Sequence, residues 1–226
     1  MIQKLSPRLQ TCAELVSQGG TACDVGTDHA YLAVWLIQNG RCTRVTASDI
    51  GEGPLRSAAQ TVAQAGLSDQ ITLQLTDGLN GLAPSDFSDI IIAGMGGETI
   101  AAILGAADFS QRDTRLILQP MTRGTYLRCW LAEHGFALLE EIAVQENERI
   151  YTVMLAQFTG ASYHRTPYQA EIGALDQSNE TARRYIAKQA ARIRRKANGA
   201  QSAGADTAEE ISLADALEAW ANGGTV

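Results

Sequence analysis

Residues 21–158 alternate short β-type runs with longer helical patterns, and this alternation constrains the fold more than any other feature of the chain. The spacing is that of repeated βαβ units, which build a parallel sheet. The predicted strands are residues 21–25, 44–49, 71–76, 89–93 and 115–119, and the predicted helices are residues 31–37, 54–65, 99–104 and 126–134. The second of these helices is expected to begin at Pro54, because proline is tolerated at the first helical position. We expect right-handed crossovers, with helices on both faces of the sheet.

The pattern changes after the fifth strand. Residues 136–144 and 150–158 are two β-type runs separated by five residues, too few for a helix, so they predict an antiparallel hairpin. Five parallel strands followed by such a hairpin are typical of S-adenosylmethionine-dependent methyltransferases, whereas a dinucleotide dehydrogenase continues with a second βαβ half. The predicted fold class is therefore α/β, with a Rossmann-like class I methyltransferase sheet in a domain of residues 1–160.

Residues 161–226 are predicted to form a second, small domain, a coiled-coil-like helical hairpin. Its helices are expected at residues 168–196 and 207–220, with residues 198–206 as the linker. A capping-box pattern at residues 207–210 marks the start of the second helix. One narrow apolar seam along the first helix is expected to pack on the second. Its members are Ile172, Leu175, Ala182, Ile186 and Ile193.

Composition narrows the class of protein. The four cysteines lie far apart with no C-x-x-C pair, which indicates reduced thiols rather than a zinc site or a disulfide framework, so no metal is expected. No apolar run approaches the roughly 20 residues that span a bilayer, and the first residues lack the apolar stretch of a signal peptide. We expect a soluble, cytoplasmic, unprocessed chain without a membrane partner, and its oligomeric state stays open.

Acidic residues follow three successive predicted strands. In an open parallel sheet, ligands bind at the carboxyl ends of the strands, and here the first ends at Asp24 to His29, the second at Asp49 and the third at Asp77. Gly26 lets backbone approach a ligand, Asp49 can accept from both ribose hydroxyls, and Asp77 can accept from an adenine amino group. Acidic lining suits a cationic sulfonium and suits phosphate badly, which favours S-adenosylmethionine over NAD or ATP. The alternative is that these aspartates only form turns.

Three glycines lie within residues 94–97, at the end of the fourth strand, where the acceptor usually meets the methyl donor. Glycines there let the chain pass close to a group that a β-carbon would block. A D/N-P-P-Y/F motif, which would suggest methylation of an exocyclic amine, is absent from this position. A plain tight turn is the alternative.

Five motifs together resemble the TrmK family, bacterial enzymes that methylate N1 of an adenine, position 22, in the D-arm region of tRNA. They are LSPRL at 5–9, DVGTDHAYL at 24–32, AGMGG at 93–97, LQPM at 118–121 and ERIY at 148–151. The resemblance covers roughly residues 2–160 and is weaker in residues 161–226, the tail. It implies that the residues binding S-adenosylmethionine are Asp24, Gly26, Thr27, His29, Asp49, Ile50, Asp77, Gly78, Ala93, Gly94, Met95 and Gly96.

Catalysis at adenine N1 needs little acid–base help, because its lone pair can attack a sulfonium methyl without prior deprotonation. Asp28 is the candidate for stabilising the positive charge of the product or orienting the adenine amino group, and capping the helix near Tyr31 is its alternative role. His29 is the second candidate, as a contact to the cofactor or the acceptor, or simply a histidine at a helix start. Tyr31 is a candidate stacking partner for an extruded base.

A tRNA substrate requires cationic surface, and the charge is unevenly distributed. Residues 1–163 hold 10 Lys and Arg against 17 Asp and Glu, residues 164–200 hold 8 against 3, and residues 201–226 hold none against 5, within a total of -7. The middle segment, at net +5, is expected to contact tRNA. Its alternative is a solvated face, or a partner for the acidic second helix. The candidate substrate-binding residues are Arg8, Tyr31, Gln119, Pro120, Arg123, Arg184, Lys188 and Arg192. A small-molecule methyltransferase, favoured by the acidic remainder, is the alternative function.

Overall fold

The computed structural model describes residues 4–110 and 114–224. Within them, one sheet of seven strands runs in the order β3-β2-β1-β4-β5-β7-β6, which confirms the predicted fold class. Strands β1 to β5 are parallel, and β7 runs antiparallel to β5 and β6. The strands are β1 (Gly20–Val25), β2 (Cys42–Asp49), β3 (Ile71–Leu75), β4 (Asp89–Gly96), β5 (Arg115–Thr122), β6 (Phe136–Glu146) and β7 (Arg149–Phe158).

Eight α-helices lie in the described residues: α1 (Pro7–Leu15), α2 (Tyr31–Gln38), α3 (Glu52–Ala65), α4 (Gly97–Gly105), α5 (Gly124–Glu133), α6 (Pro167–Ile172), α7 (Glu180–Ser202) and α8 (Ala208–Ala221). The sequence pattern did not predict α1, which begins at a proline in its first helical position. The expected start of α3 at Pro54 is wrong by two residues. Pro54 lies in the first turn of the helix, where backbone N–H groups have no intrahelical partner to lose.

The central strands are buried on both faces, as their continuous apolar runs predict. Ile91 and Ile117 pack in one apolar layer. Their neighbours Ile90, Ile92 and Leu116 pack in the other. All five side chains are fully buried, and each contributes about 1.5–3 kcal/mol of transfer free energy. This two-layer core holds the carboxyl ends of the parallel strands in fixed positions along one edge.

The single helix predicted over residues 168–196 is wrong, because the chain breaks after α6 at Gly173. This residue has φ +60°, and a β-carbon on it would collide with Glu141 Oε2 and with the Arg128 guanidinium. Asn179 then starts α7 afresh, its side chain accepting from the N–H of Ala182. Close packing against a charged pair, rather than local propensity, interrupts the helix.

That charged pair is fully buried. Arg128 of α5 donates from its Nε and one terminal nitrogen to Glu141 of β6, the shortest contact being 2.7 Å, and from the other terminal nitrogen to Ala170 O at 3.0 Å. Glu141 also accepts from the N–H of Ala174 at 3.3 Å. Burial opposes the charge of Arg128, yet Glu141 and Tyr185 raise its pKa above the ordinary value. Leaving either member of such a pair unpaired costs about 3–5 kcal/mol, so the pair ties the tail to the sheet.

Helices α7 and α8 form the predicted hairpin. Ala182, Ile186 and Ile193 of the expected seam pack against Leu217 and Trp220. The expected linker is too long, since α7 continues to residue 202. Among the described residues, none of the helices is both long and apolar enough to cross a membrane.

The predicted capping box at residues 207–210 does not form. The Thr207 side chain makes no cap hydrogen bond, and Asp206 Oδ1 instead accepts from the N–H of Ala208 at 3.1 Å. A capping box does form at the start of α6, where Thr166 and Gln169 exchange side-chain-to-backbone bonds.

Candidate functional site

A cavity of about 410 Å³ lies at the carboxyl ends of β1 to β4. Six of the twelve predicted cofactor residues line it: Gly26, Asp49, Ile50, Asp77, Gly78 and Met95. Sequence reasoning missed its other lining residues: Val25, Thr76, Leu79, Asn80, Thr99, Ala102, Ile103 and Ala106. The last four of these recur at helical spacing along α4 and its end, so periodicity after the glycine cluster could have found them.

Gly26 forms the turn that opens the cavity. Its φ is +81°, a region that disfavours side chains, and its N–H donates to Ser48 O at 2.8 Å. A β-carbon on Gly26 would collide with the terminal methyl of Met95. The Met95 methyl therefore occupies the space beside Gly26, and a side chain at Gly26 would displace it.

Asp24 and Thr27 flank this turn but do not line the cavity. Both are buried, and Thr27 Oγ1 donates to Asp24 Oδ2 at 2.8 Å. Burial raises the pKa of Asp24 to about 6, with the Thr27 hydrogen bond opposing the shift and nearby Asp49 adding to it. The structure places Asp24 as a support of the loop rather than as a lining residue.

Asp49 and Asp77 bring two carboxylates to the cavity. Asp49 Oδ1 accepts from the N–H of Gly51 at 2.7 Å, and its backbone oxygen accepts from Thr76 at 3.0 Å. Asp77 is exposed, and the adjacent Ile50 is 71% exposed. The rim thus combines acidic oxygens with an unburied apolar side chain, a surface that suits a ligand with an apolar ring and a cationic centre.

The glycine cluster at the end of β4 is not a single tight turn, because β4 continues through it to Gly96. Three of its predicted cofactor residues, Ala93, Gly94 and Gly96, do not line the cavity. A β-carbon on Gly97 would lie 2.5 Å from the backbone oxygen of Arg123, so this glycine permits α4 to pack on the start of α5.

Asp28, His29 and Tyr31 lie together beyond the end of β1, outside the lining of the cavity. The Asp28 side chain is 77% exposed, and its Oδ2 is 3.3 Å from His29 Nε2. The rings of His29 and Tyr31 stack with centroids 5.1 Å apart. Helix α2 is capped at Ala30 without any side-chain hydrogen bond, so the alternative role of Asp28 as a helix cap is wrong.

A second and larger cavity, of about 730 Å³, lies between the end of β5, the β6–β7 turn, α6 and α7; we call it the basic cleft. Four predicted substrate residues line it: Pro120, Arg123, Lys188 and Arg192. Arg149 and the tyrosines at 126, 151 and 185 also line it, and sequence reasoning missed them. Two carboxylates lie among these cations, and Glu171 Oε1 is 3.4 Å from an Arg192 guanidinium nitrogen.

The other predicted substrate residues lie outside the lining of the cleft. Arg184 donates to Gln145 of β6 at 2.9 Å, and Arg8 donates a hydrogen bond to the Gln119 side chain. The alternative for the basic segment, pairing with the acidic α8, holds for Arg194, which contacts Asp215 at 2.6 Å and Glu218 at 3.0 Å. Lys188 and Arg192, which line the cleft, contact Glu148 and Glu171 instead, and among the described residues neither forms an ion pair with α8.

Comparison with known proteins is consistent with this geometry. Residues 5–154 match the family described as "Methyltransferase domain". The tRNA (adenine(22)-N(1))-methyltransferase of Bacillus subtilis (strain 168) is 39% identical over 155 residues, which are 68% of this chain and 65% of the relative. The match therefore spans just under two thirds of that relative's length.

Two solved structures superimpose over nearly the whole chain. The B. subtilis m1A22 tRNA methyltransferase TrmK has 29% identity and a TM-score of 0.79, covering 97% of this chain and 98% of that one. Streptococcus pneumoniae Sp1610, solved in complex with S-adenosyl-L-methionine, has 30% identity and a TM-score of 0.81, covering 95% of this chain and 100% of that one.

Proposed function

The chain belongs to the methyltransferase domain family and, within it, to the TrmK family, and we propose that it transfers a methyl group from S-adenosylmethionine to N1 of adenine 22 in bacterial tRNA. The observation that carries this proposal is the cavity at the strand ends, which brings Gly26, Asp49 and Asp77 together. A tRNA substrate implies a cytoplasmic location for the activity.

The residues present fit S-adenosylmethionine. Gly26 leaves room for close backbone approach, and a β-carbon at Gly78 would lie 3.1 Å from Ile103, a contact tighter than usual. Asp49 has carboxylate lone pairs beyond the one that accepts from Gly51, and these would accept from the ribose hydroxyls. Asp77 would accept from the adenine amino group, and Ile50 would pack on the ring. The acidic rim favours the positive sulfonium, which supplies the electrophilic methyl group.

The residues after β1 would act on the acceptor base. Adenine N1 has a free lone pair, so the protein has only to align it and needs no general base. Asp28 keeps most of its carboxylate exposed, so we assign it to stabilising the charge that develops on the methylated adenine. The stacked rings of His29 and Tyr31 offer a flat surface against which an extruded base would lie.

The basic cleft would hold the tRNA backbone. Arg123, Arg149, Lys188 and Arg192 surround it, and phosphate contacts by such cations give binding that weakens as salt increases. The division that we propose is a catalytic domain of residues 1–160 and a helical domain of residues 161–226, with substrate contacts from both.

The test uses purified protein, radiolabelled S-adenosylmethionine and an unmodified tRNA transcript. We expect one methyl group per tRNA, identified as N1-methyladenosine by mass spectrometry, and none in a matched transcript carrying guanine at position 22. Asp49→Ala is expected to abolish labelling by removing the ribose contact. Label at another position, or an unlabelled transcript with saturating donor, would contradict the proposal.

A further inference from the structure

Arg8 is held inside the protein on several sides. Its side chain is 16% exposed, its Nε donates to Glu146 Oε1 at 3.1 Å, and its backbone N–H donates to the other oxygen of that carboxylate at 3.3 Å. The guanidinium carbon lies 5.2 Å from the centre of the Tyr151 ring. One terminal nitrogen donates to Gln119 Oε1 at 2.6 Å. A cation with these partners is poorly placed to serve as a phosphate contact.

Gln119 connects Arg8 to the end of β4 by hydrogen bonds. The side chain is fully buried, and its Oε1 accepts both from Arg8 and from the backbone N–H of Gly94, at 3.1 Å. Its Nε2 donates to Pro120 O at 2.9 Å. A guanidinium and an amide N–H are donors only, so the atom that faces them must be the oxygen and the amide has one orientation.

Gly94 is the bulged residue of β4. Ala93 pairs with Gln119 and Met95 with Pro120, which leaves Gly94 without a partner on β5. Its N–H has no partner on β5 and donates instead to the Gln119 side chain. Bulges beside active sites redirect the side chain that follows them, and here that side chain is Met95, whose methyl lies over Gly26.

We propose that Arg8 is a positioning residue, which through Gln119 fixes the bulge at Gly94 and so sets where Met95 lies in the methyl-donor cavity. The inference rests on the proposed function for its kinetic consequence, because the bulge lies where donor and acceptor meet. A misplacement of about 1 Å at such a point can cost about 10²-fold in rate. The contact network itself does not depend on the substrate.

The kinetic test compares Arg8→Met with Arg56→Met, a matched loss of one arginine at a 72%-exposed side chain of α3. We expect kcat at saturating donor to fall about 10- to 100-fold in Arg8→Met, with KM for tRNA and its salt dependence unchanged. Arg56→Met is expected to keep the wild-type values. A double variant with Gln119→Met is expected to lose no more than Gln119→Met alone, because Arg8 acts on Gly94 only through Gln119.

A second test is independent of any tRNA. The chain has four methionines, so methyl labelling gives few resonances, and Met95→Leu, made in the wild type and in each variant, separates the one over Gly26 from the methionine that a variant introduces. We expect this resonance to shift or broaden in Arg8→Met and Gln119→Met and to stay in place in Arg56→Met. Glu146→Gln, a nearly isosteric change that weakens the hold on Arg8, is expected to shift it in the same direction.

The outcomes separate the alternatives. A rise in KM with a salt slope reduced by about one and an unchanged kcat would identify Arg8 as a phosphate contact and overturn the proposal. An unmoved Met95 resonance in all three variants would also overturn it, as would activity losses that merely follow the unfolded fraction. If the wild type leaves tRNA unmethylated, the proposed function fails while the resonance test still decides the role of Arg8.

Discussion

Replacing Asp24 with asparagine should make stability less sensitive to pH. Asp24 is buried beside Thr27, and its pKa is raised from 3.8 to about 6, chiefly by burial. The asparagine oxygen can still accept from Thr27 Oγ1, so the substitution removes the ionisation and keeps the hydrogen bond.

The magnitude follows from the shift. About two pKa units at 1.36 kcal/mol each correspond to about 3 kcal/mol. Below about pH 3 both the folded and the unfolded wild type hold the proton, so this stabilisation is fully present there. As pH rises from 3 through 6 the unfolded chain releases its proton first, so the wild type loses that amount, whereas Asp24→Asn does not. The free energy of unfolding of the variant relative to wild type should therefore rise by about 2.5 kcal/mol between pH 4 and pH 7.5, because the unfolded chain is already partly ionised at pH 4.

Urea unfolding followed by tryptophan fluorescence at several pH values measures this difference. Thr27→Val provides a second arm, because it removes the hydrogen bond that lowers the pKa of Asp24 and should enlarge the pH-dependent loss. A difference between Asp24→Asn and wild type that stays constant across this range would refute the assignment of a raised pKa to Asp24.

Two further predictions concern the cavities. Gly26→Ala and Gly40→Ala both place alanine at positive φ, at a cost of about 1–2 kcal/mol, but only at Gly26 does the new methyl meet Met95. Calorimetry should therefore show a Kd for S-adenosylmethionine raised at least about 10-fold by the first change alone, and equal effects would contradict the role of Gly26. Glu171→Gln should tighten tRNA binding about 3- to 10-fold and steepen its salt dependence, because it removes a negative charge from beside Arg192 in the basic cleft. Filter binding across a salt series checks this, and weaker binding would contradict it.

The sequence predicted what local rules control and missed what distant contacts decide. The ends of β1 to β3 follow from strand patterns and turn residues, so Gly26, Asp49 and Asp77 were found. A glycine such as Gly173 destabilises a helix by only about 1 kcal/mol relative to alanine. The helix breaks there because of Arg128 and Glu141, which lie more than 30 positions earlier in the sequence. Arg8 lies in a motif that pointed to function, but its partner Gln119 is 111 residues away.

Contacts between residues far apart in the sequence also form the basic cleft. The sequence around Arg149 and Tyr126 does not mark them as site residues. They line the cleft because the β6–β7 turn and the start of α5 lie beside α7. Charge counting found the basic segment, whereas only the packing shows which of its cations pair with the acidic α8.

The buried pair of Arg128 and Glu141 has a consequence for swapping parts between related enzymes. Both of its side chains are completed by backbone from the tail, through Ala170 O and the N–H of Ala174. A chain cut at residue 160 would leave these charged groups without two of their partners. A chimaera that receives another enzyme's helical tail must therefore keep residues 170–174 of this chain. Substitutions intended to change which substrates are accepted would then have to lie after residue 174, on α7 and α8.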